Sequence, residues 1–114
     1  MAADRAVLRL ASFNMTGAMN NPQHCLQSVL GSFNVICFQE TWLHDANTAH
    51  LSQAFPRHTV STKCGFDSSV PLTGRPYGGL ATCILDLPFE VISVESRRAL
   101  PMVIKVGGTD VLLI

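Results

Sequence analysis

Val35-Ile36-Cys37-Phe38-Gln39-Glu40 runs through four apolar residues and stops in a carboxylate. A half-solvated strand would alternate apolar and polar residues, so this unbroken run reads as a β-strand covered on both faces. At Gln39-Glu40-Thr41 the chain leaves the sheet, and a charge can meet solvent, a metal or a substrate. Val7-Leu8-Arg9-Leu10-Ala11-Ser12-Phe13-Asn14 is similar, apolar first and polar at its end. About twenty residues lie between the two strands, too many for a hairpin and suited to a crossover through a helix. The spacing predicts parallel strands, a right-handed connection and both carboxyl ends on one rim of the sheet. Ligands of open α/β sheets bind at such a rim, so Asn14 and Glu40 are expected to converge on one site.

A chain of 114 residues makes one domain with a real core. It is 47% hydrophobic and 14% charged, apolar for a small domain, whose charged share is usually about a quarter. Pro88 and Glu90 interrupt the longest apolar candidate, over 80–94, well short of the roughly 20 residues of a membrane span. Asp4 and Arg9 make the amino terminus a poor signal peptide, so the expected location is intracellular, the nucleus included. Eight basic and eight acidic side chains give no overall basic footprint for nucleic acid. Cys25, Cys37, Cys64 and Cys83 have no paired or zinc-type spacing with each other or with His24, His44, His50 and His58, and read as reduced packing thiols.

The loop after Asn14 leads to a helix in which Asn21 is the expected cap and Pro22 the first residue. Cys25, Leu26, Val29 and Leu30 are its expected apolar face, and Gly31 its stop. Asp45 is positioned to cap a second helix over 46–54, before Pro56. A short strand over 58–62 and a loop over 63–77 rich in turn residues follow. Further strands are expected over 80–85, 89–94, 102–106 and 111–114, the last two joined by Gly107-Gly108-Thr109-Asp110. One parallel βαβ unit, a helix, then strands on short connections favour a layered α/β (α+β) sandwich with a mixed sheet over a doubly wound fold. Ending in mid-strand at Ile114 gives the expectation of a single partial domain, 1–114, truncated at its carboxyl end, with unpaired strands and poor solubility.

Leu10-Ala11-Ser12-Phe13-Asn14, Val35-Ile36-Cys37-Phe38-Gln39-Glu40-Thr41 and Arg75-Pro76-Tyr77-Gly78-Gly79-Leu80-Ala81 resemble, in order and spacing, the first three motifs of the endonuclease/exonuclease/phosphatase superfamily. The wording looks most like the endonuclease that accompanies the reverse transcriptase of non-LTR (LINE-type) retrotransposons. The resemblance implies the amino-terminal portion of a four-layered αββα sandwich, a Mg2+ (or Mn2+) cofactor, and a DNA-nicking phosphodiesterase. Carried over by position, Glu40 is the metal-ligating carboxylate and a catalytic residue, and Asn14 its catalytic and substrate-binding partner near metal and phosphate. Gln39 stands beside the ligand as a substrate-binding residue, and Gly78-Gly79 match the turn before the supporting strand. Asn34 stands where many members have Asp. The family's later Asp-x-Asn and Ser-Asp-His segments have no counterpart before Ile114, so the chain alone is expected to be inactive.

The chemistry of these residues agrees with the resemblance. Magnesium keeps several waters and needs only one or two protein carboxylates besides phosphate oxygens. An Asn amide can donate to a phosphate oxygen while its carbonyl accepts from a metal-bound water. Arg75 opens a glycine-rich loop and is a candidate phosphate contact. Each residue also has a plainer reading. Glu40 can be a solvated carboxylate at a strand end, Asn14 a turn former ahead of Thr16-Gly17, Trp42 rim packing, and Arg97-Arg98 a solvated charge pair. The alternative function is a non-catalytic α/β relic or binding module that meets a partner through its open sheet edge.

Overall fold

The computed structural model describes residues 7–44, 47–65 and 78–114. Among these residues seven strands and two α-helices follow one another: β1 (Leu10–Asn14), α1 (Gln23–Leu30), β2 (Val35–Gln39), α2 (Ala49–Ala54), β3 (Thr59–Lys63), β4 (Leu80–Ile84), β5 (Phe89–Val91), β6 (Met102–Val106) and β7 (Thr109–Leu113). A 3-10 turn, Ala18–Asn20, lies between β1 and α1. One mixed sheet has the order β1-β2-β4-β3 and a second the order β5-β6-β7. β1 pairs with β2 in parallel, Leu10 opposite Val35 and Asn14 opposite Gln39, while β4 runs antiparallel to both β2 and β3. The fold is the expected mixed α+β sandwich, seen among the described residues as helices, four-stranded sheet and three-stranded sheet in succession.

Strand alternation divides the core in two. Ile36, Phe38, Ala81 and Cys83 face the helices and pack with Leu26, Leu30, Leu51, Ala54 and Phe55. Val35 and Ile84 face the other way, against Met102, Ile104 and Val106 of the second sheet, with Cys37 beside them. The central apolar run is therefore covered on both faces. Phe38 anchors the helical side, its ring 5.7 Å from Phe55 and edge-on to Phe13 at 6.3 Å.

Several element ends differ from expectation. α1 has Pro22 at its N-cap position and no side-chain cap. Asn21 instead donates through Nδ2 to the carbonyls of Met15 (2.8 Å) and Gly17 (2.9 Å), bracing the loop after β1. Only Leu26 and Leu30 of α1 turn inward; Cys25 and Val29 are exposed, because α1 is covered along a single stripe by α2. Asp45 lies outside the described residues, and α2 begins later, at Ala49, again without a side-chain cap. β5 is three residues long. The β6–β7 turn is tighter than expected. Gly107 and Gly108 alone form it, at φ 55° and 82°, so Val106 pairs with Thr109. Two consecutive positive φ angles are the type I′ requirement, which glycine meets without a Cβ penalty.

His50 and His58 are half-buried braces. A ring nitrogen of His58 lies 2.8 Å from the Phe33 carbonyl, and that of His50 lies 3.3 Å from the Asn21 carbonyl. Burial pushes the Cys83 thiol up to about 12, helped by the neighbouring Cys37, and burial also raises Cys37 against the lowering effect of its hydrogen bond with Thr82. No disulfide joins the four cysteines, and Cys25 is exposed.

Two outcomes follow. Phe38→Ala should lower the unfolding free energy by about 3–5 kcal/mol, read from urea midpoints. Thiol labelling at neutral pH should modify Cys25 in the folded protein and leave Cys83 unreacted until denaturant is added.

Candidate functional site

The candidate site forms where β2 ends. β1 and β2 finish on the same rim, β4 starts there at Gly78-Gly79-Leu80, and β3 delivers Cys64 and Gly65 to it. Beyond Gln39 the chain continues between its neighbours through main-chain bonds on both sides. Met15, Gly17 and Ala18 donate to the carbonyls of Gln39 (2.9 Å), Glu40 (2.9 Å) and Thr41 (2.7 Å). On the other side Thr41 and Trp42 donate to the carbonyls of Gly79 (3.3 Å) and Gly78 (2.9 Å). Glu40 and Trp42 have φ of 54° and 53°, left-handed values that side chains rarely adopt. Such residues cost about 1–3 kcal/mol each and persist only where the surroundings over-determine them. The two flanking clamps supply that determination.

The kinked segment aims specific groups. The Trp42 indole Nε1–H donates to Glu40 Oε2 at 2.7 Å, fixing one carboxylate oxygen. Thr41 is buried. Gly79, at φ 94°, leaves room for it: a Cβ there would collide with Thr41 Oγ1. Gly17 does the same for the indole, since a Cβ would lie 2.6 Å from Trp42 Cε3.

A cleft of about 430 Å³ opens against this rim, lined by Gln39, Glu40, Gly65, Gly78, Gly79, Leu80, Arg97 and Arg98. Gln39 is there, but its Nε2 already donates to Ser12 Oγ (3.1 Å) and to the Cys37 carbonyl (3.0 Å). Asn14 stands opposite Gln39 in the parallel register and is exposed, but is not among the cleft-lining residues. Its Oδ1 accepts from Thr16 N (3.0 Å) and Thr16 Oγ1 (3.2 Å), the turn-forming arrangement. Arg75 lies outside the described residues. Arg97 and Arg98, read from sequence as a solvated pair, are brought into the lining of the same cleft as Glu40 by the connection between β5 and β6. No local pattern marks them; only the packing of one sheet on the other reveals the neighbourhood.

No group of three or more His, Cys, Asp or Glu that could hold a metal occurs among the described residues. The donors at the rim are oxygens, the Glu40 carboxylate with the Asn14 amide one strand away. This chemistry fits a hard divalent cation that keeps most of its water, magnesium or manganese.

A scan against protein-family models finds no match, and a search of curated proteins finds none. Among solved structures the chain is similar to an AP endonuclease from Archaeoglobus fulgidus, with a TM-score of 0.53 and 20% identity over 93% of this chain. The similarity establishes a shared fold. This chain spans 40% of the length of that structure.

Gly79→Ala should destabilise the protein by about 1–3 kcal/mol through the positive φ and the Thr41 collision. Because Trp42 is the sole tryptophan and bonds Glu40, the variant should also shift tryptophan emission in the folded state.

Proposed function

We propose that the chain is the amino-terminal part of a divalent-metal-dependent phosphodiesterase of the endonuclease/exonuclease/phosphatase type, acting on DNA. The motif wording favours the retrotransposon endonucleases within that group. The observation that carries the reading is Glu40. It is a half-buried carboxylate at the carboxyl end of the central strand, held by Trp42 and strained into place beside a cleft, in a fold shared with an AP endonuclease.

Glu40 would hold the metal, and Asn14, at the end of the neighbouring strand, would bond a metal-bound water or a phosphate oxygen. The bound cation would neutralise charge building on the phosphate oxygens and lower the pKa of a coordinated water. In the reaction the oxygen of water bonds to phosphorus, and the bond from phosphorus to the leaving sugar oxygen breaks. The proton lost by the water must reach a base, and the leaving oxygen must gain one. Gln39, locked to Ser12, serves as a fixed wall beside the carboxylate. Among the described residues lining the cleft, Glu40 is the one carboxylate and no histidine occurs. We take the chain as inactive alone, because the family's later motifs have no counterpart in it, and as completed by the part of the fold that the similar structure has beyond the span of this chain.

Calorimetric titration with magnesium should show saturable binding that Glu40→Ala removes, with no nicking of supercoiled DNA by either protein. Nicking by the wild-type chain would overturn the inactivity. A folded protein that binds no metal would favour the non-catalytic module.

A further inference from the structure

The cleft carries both signs of charge. Its described lining takes Glu40 from the end of β2 in the four-stranded sheet and Arg97 and Arg98 from the connection between β5 and β6. Among the described lining residues two arginines stand with one carboxylate, in a chain of formal charge zero. Lys105 lies 3.8 Å from Asp110 on the β6–β7 hairpin, Arg9 sits over the Phe33 ring, and Lys63 donates to the Val94 carbonyl at 2.8 Å.

That last bond bears on the arginines. Val94 belongs to the same connection, so Lys63 ties it to the end of β3, beside the cleft. The connection is closed at its base by the Ile92 amide on the Pro101 carbonyl (2.9 Å) and turned at its tip by the Arg98 amide on Ser96 Oγ (3.1 Å). Arg98 also lines the smaller gap of about 90 Å³ between the sheets, with Gln39 and Leu80, so it spans from inter-sheet packing to the open cleft. A backbone held at three points presents its side chains with less ordering cost on binding. Guanidinium forks match the oxygens of phosphate, where they make charge-assisted paired bonds.

We propose that Arg97 and Arg98 form an anion-binding wall in the cleft that Glu40 lines, and that this wall takes the phosphate oxygens of a nucleic-acid backbone. The substrate class rests on the phosphodiesterase reading; the anion site rests on the cleft. Glu40 repels a bare phosphate and the arginines attract it, so an incoming phosphodiester settles toward the second sheet and leaves the Glu40 side for a cation.

The test is binding of a fluorescent duplex oligonucleotide to the whole chain by anisotropy, without metal, across a salt series, with inorganic phosphate as competitor. R97Q/R98Q, both changes lying on an exposed connection, should weaken binding about tenfold per arginine and lower the salt slope by about two units. K105Q, away from the cleft, should bind as wild type. E40Q should bind more tightly. Wild-type affinity and slope in R97Q/R98Q, an equal loss in K105Q, or no binding by the wild-type chain overturns the proposal. Competition by phosphate with an affinity equal to that of the oligonucleotide overturns the backbone assignment. Arginine-dependent binding in a protein that takes up no magnesium supports this site while overturning the metal reading; magnesium uptake with arginine-independent DNA binding does the reverse.

Discussion

The segment from Gln39 to Trp42 is held from both sides by main-chain hydrogen bonds, and the geometry of the rim depends on that clamp. Two non-glycine residues in left-handed conformations would not stay there in a free loop. They stay because Gly17-Ala18 and Gly78-Gly79 grip the carbonyls and amides between them, continuing the sheet's bonding past its regular end. The glycines matter here for what they omit, since side chains at 17 and 79 would occupy the space of Trp42 and Thr41. Backbone strain is thereby converted into a carboxylate with one oxygen fixed and a cleft in front of it.

The helical layer and the second sheet contribute unequally to this arrangement. Phe38, Ile36, Leu51 and Phe55 lock the four-stranded sheet to its helices, which keeps β1 and β2 aligned and their ends level. The second sheet rests on Val35 and Ile84 and sends one connection across to complete the cleft. The carboxylate is a product of strand pairing; the arginine wall is a product of sheet packing.

That distinction explains what could be read from the chain. Val35–Gln39 and its parallel partner were legible because an unbroken apolar run and a crossover-length gap are local signals. Asn21 misleads because its amide, well suited to a cap, finds two carbonyls in the preceding loop instead. Val29 misleads because helical spacing does not say how wide a stripe the neighbours will cover. At the rim, Glu40 could be picked out by its position after the strand, but the Trp42 bond needed the reversed φ angles, which no residue pattern encodes. Arg97 and Arg98 lie far from Glu40 in sequence and meet its cleft only through tertiary packing.

The two cores have a consequence for motion. Among the described residues the cluster on the helical side holds twelve fully buried side chains, whereas the one between the sheets holds five and is completed by seven half-buried ones. The seam between the sheets is the less deeply buried one, and the cleft's lining draws on both of its sides. Local opening draws on the least cohesive part of a structure, so the molecule should breathe along this seam before its helices loosen. In hydrogen exchange the amides of β6 and β7 should then open as one unit, ahead of those of β2 and β4. An opening of that kind parts the arginines from the carboxylate without disturbing the strained turn, so the width of the cleft can change while the carboxylate keeps its aim.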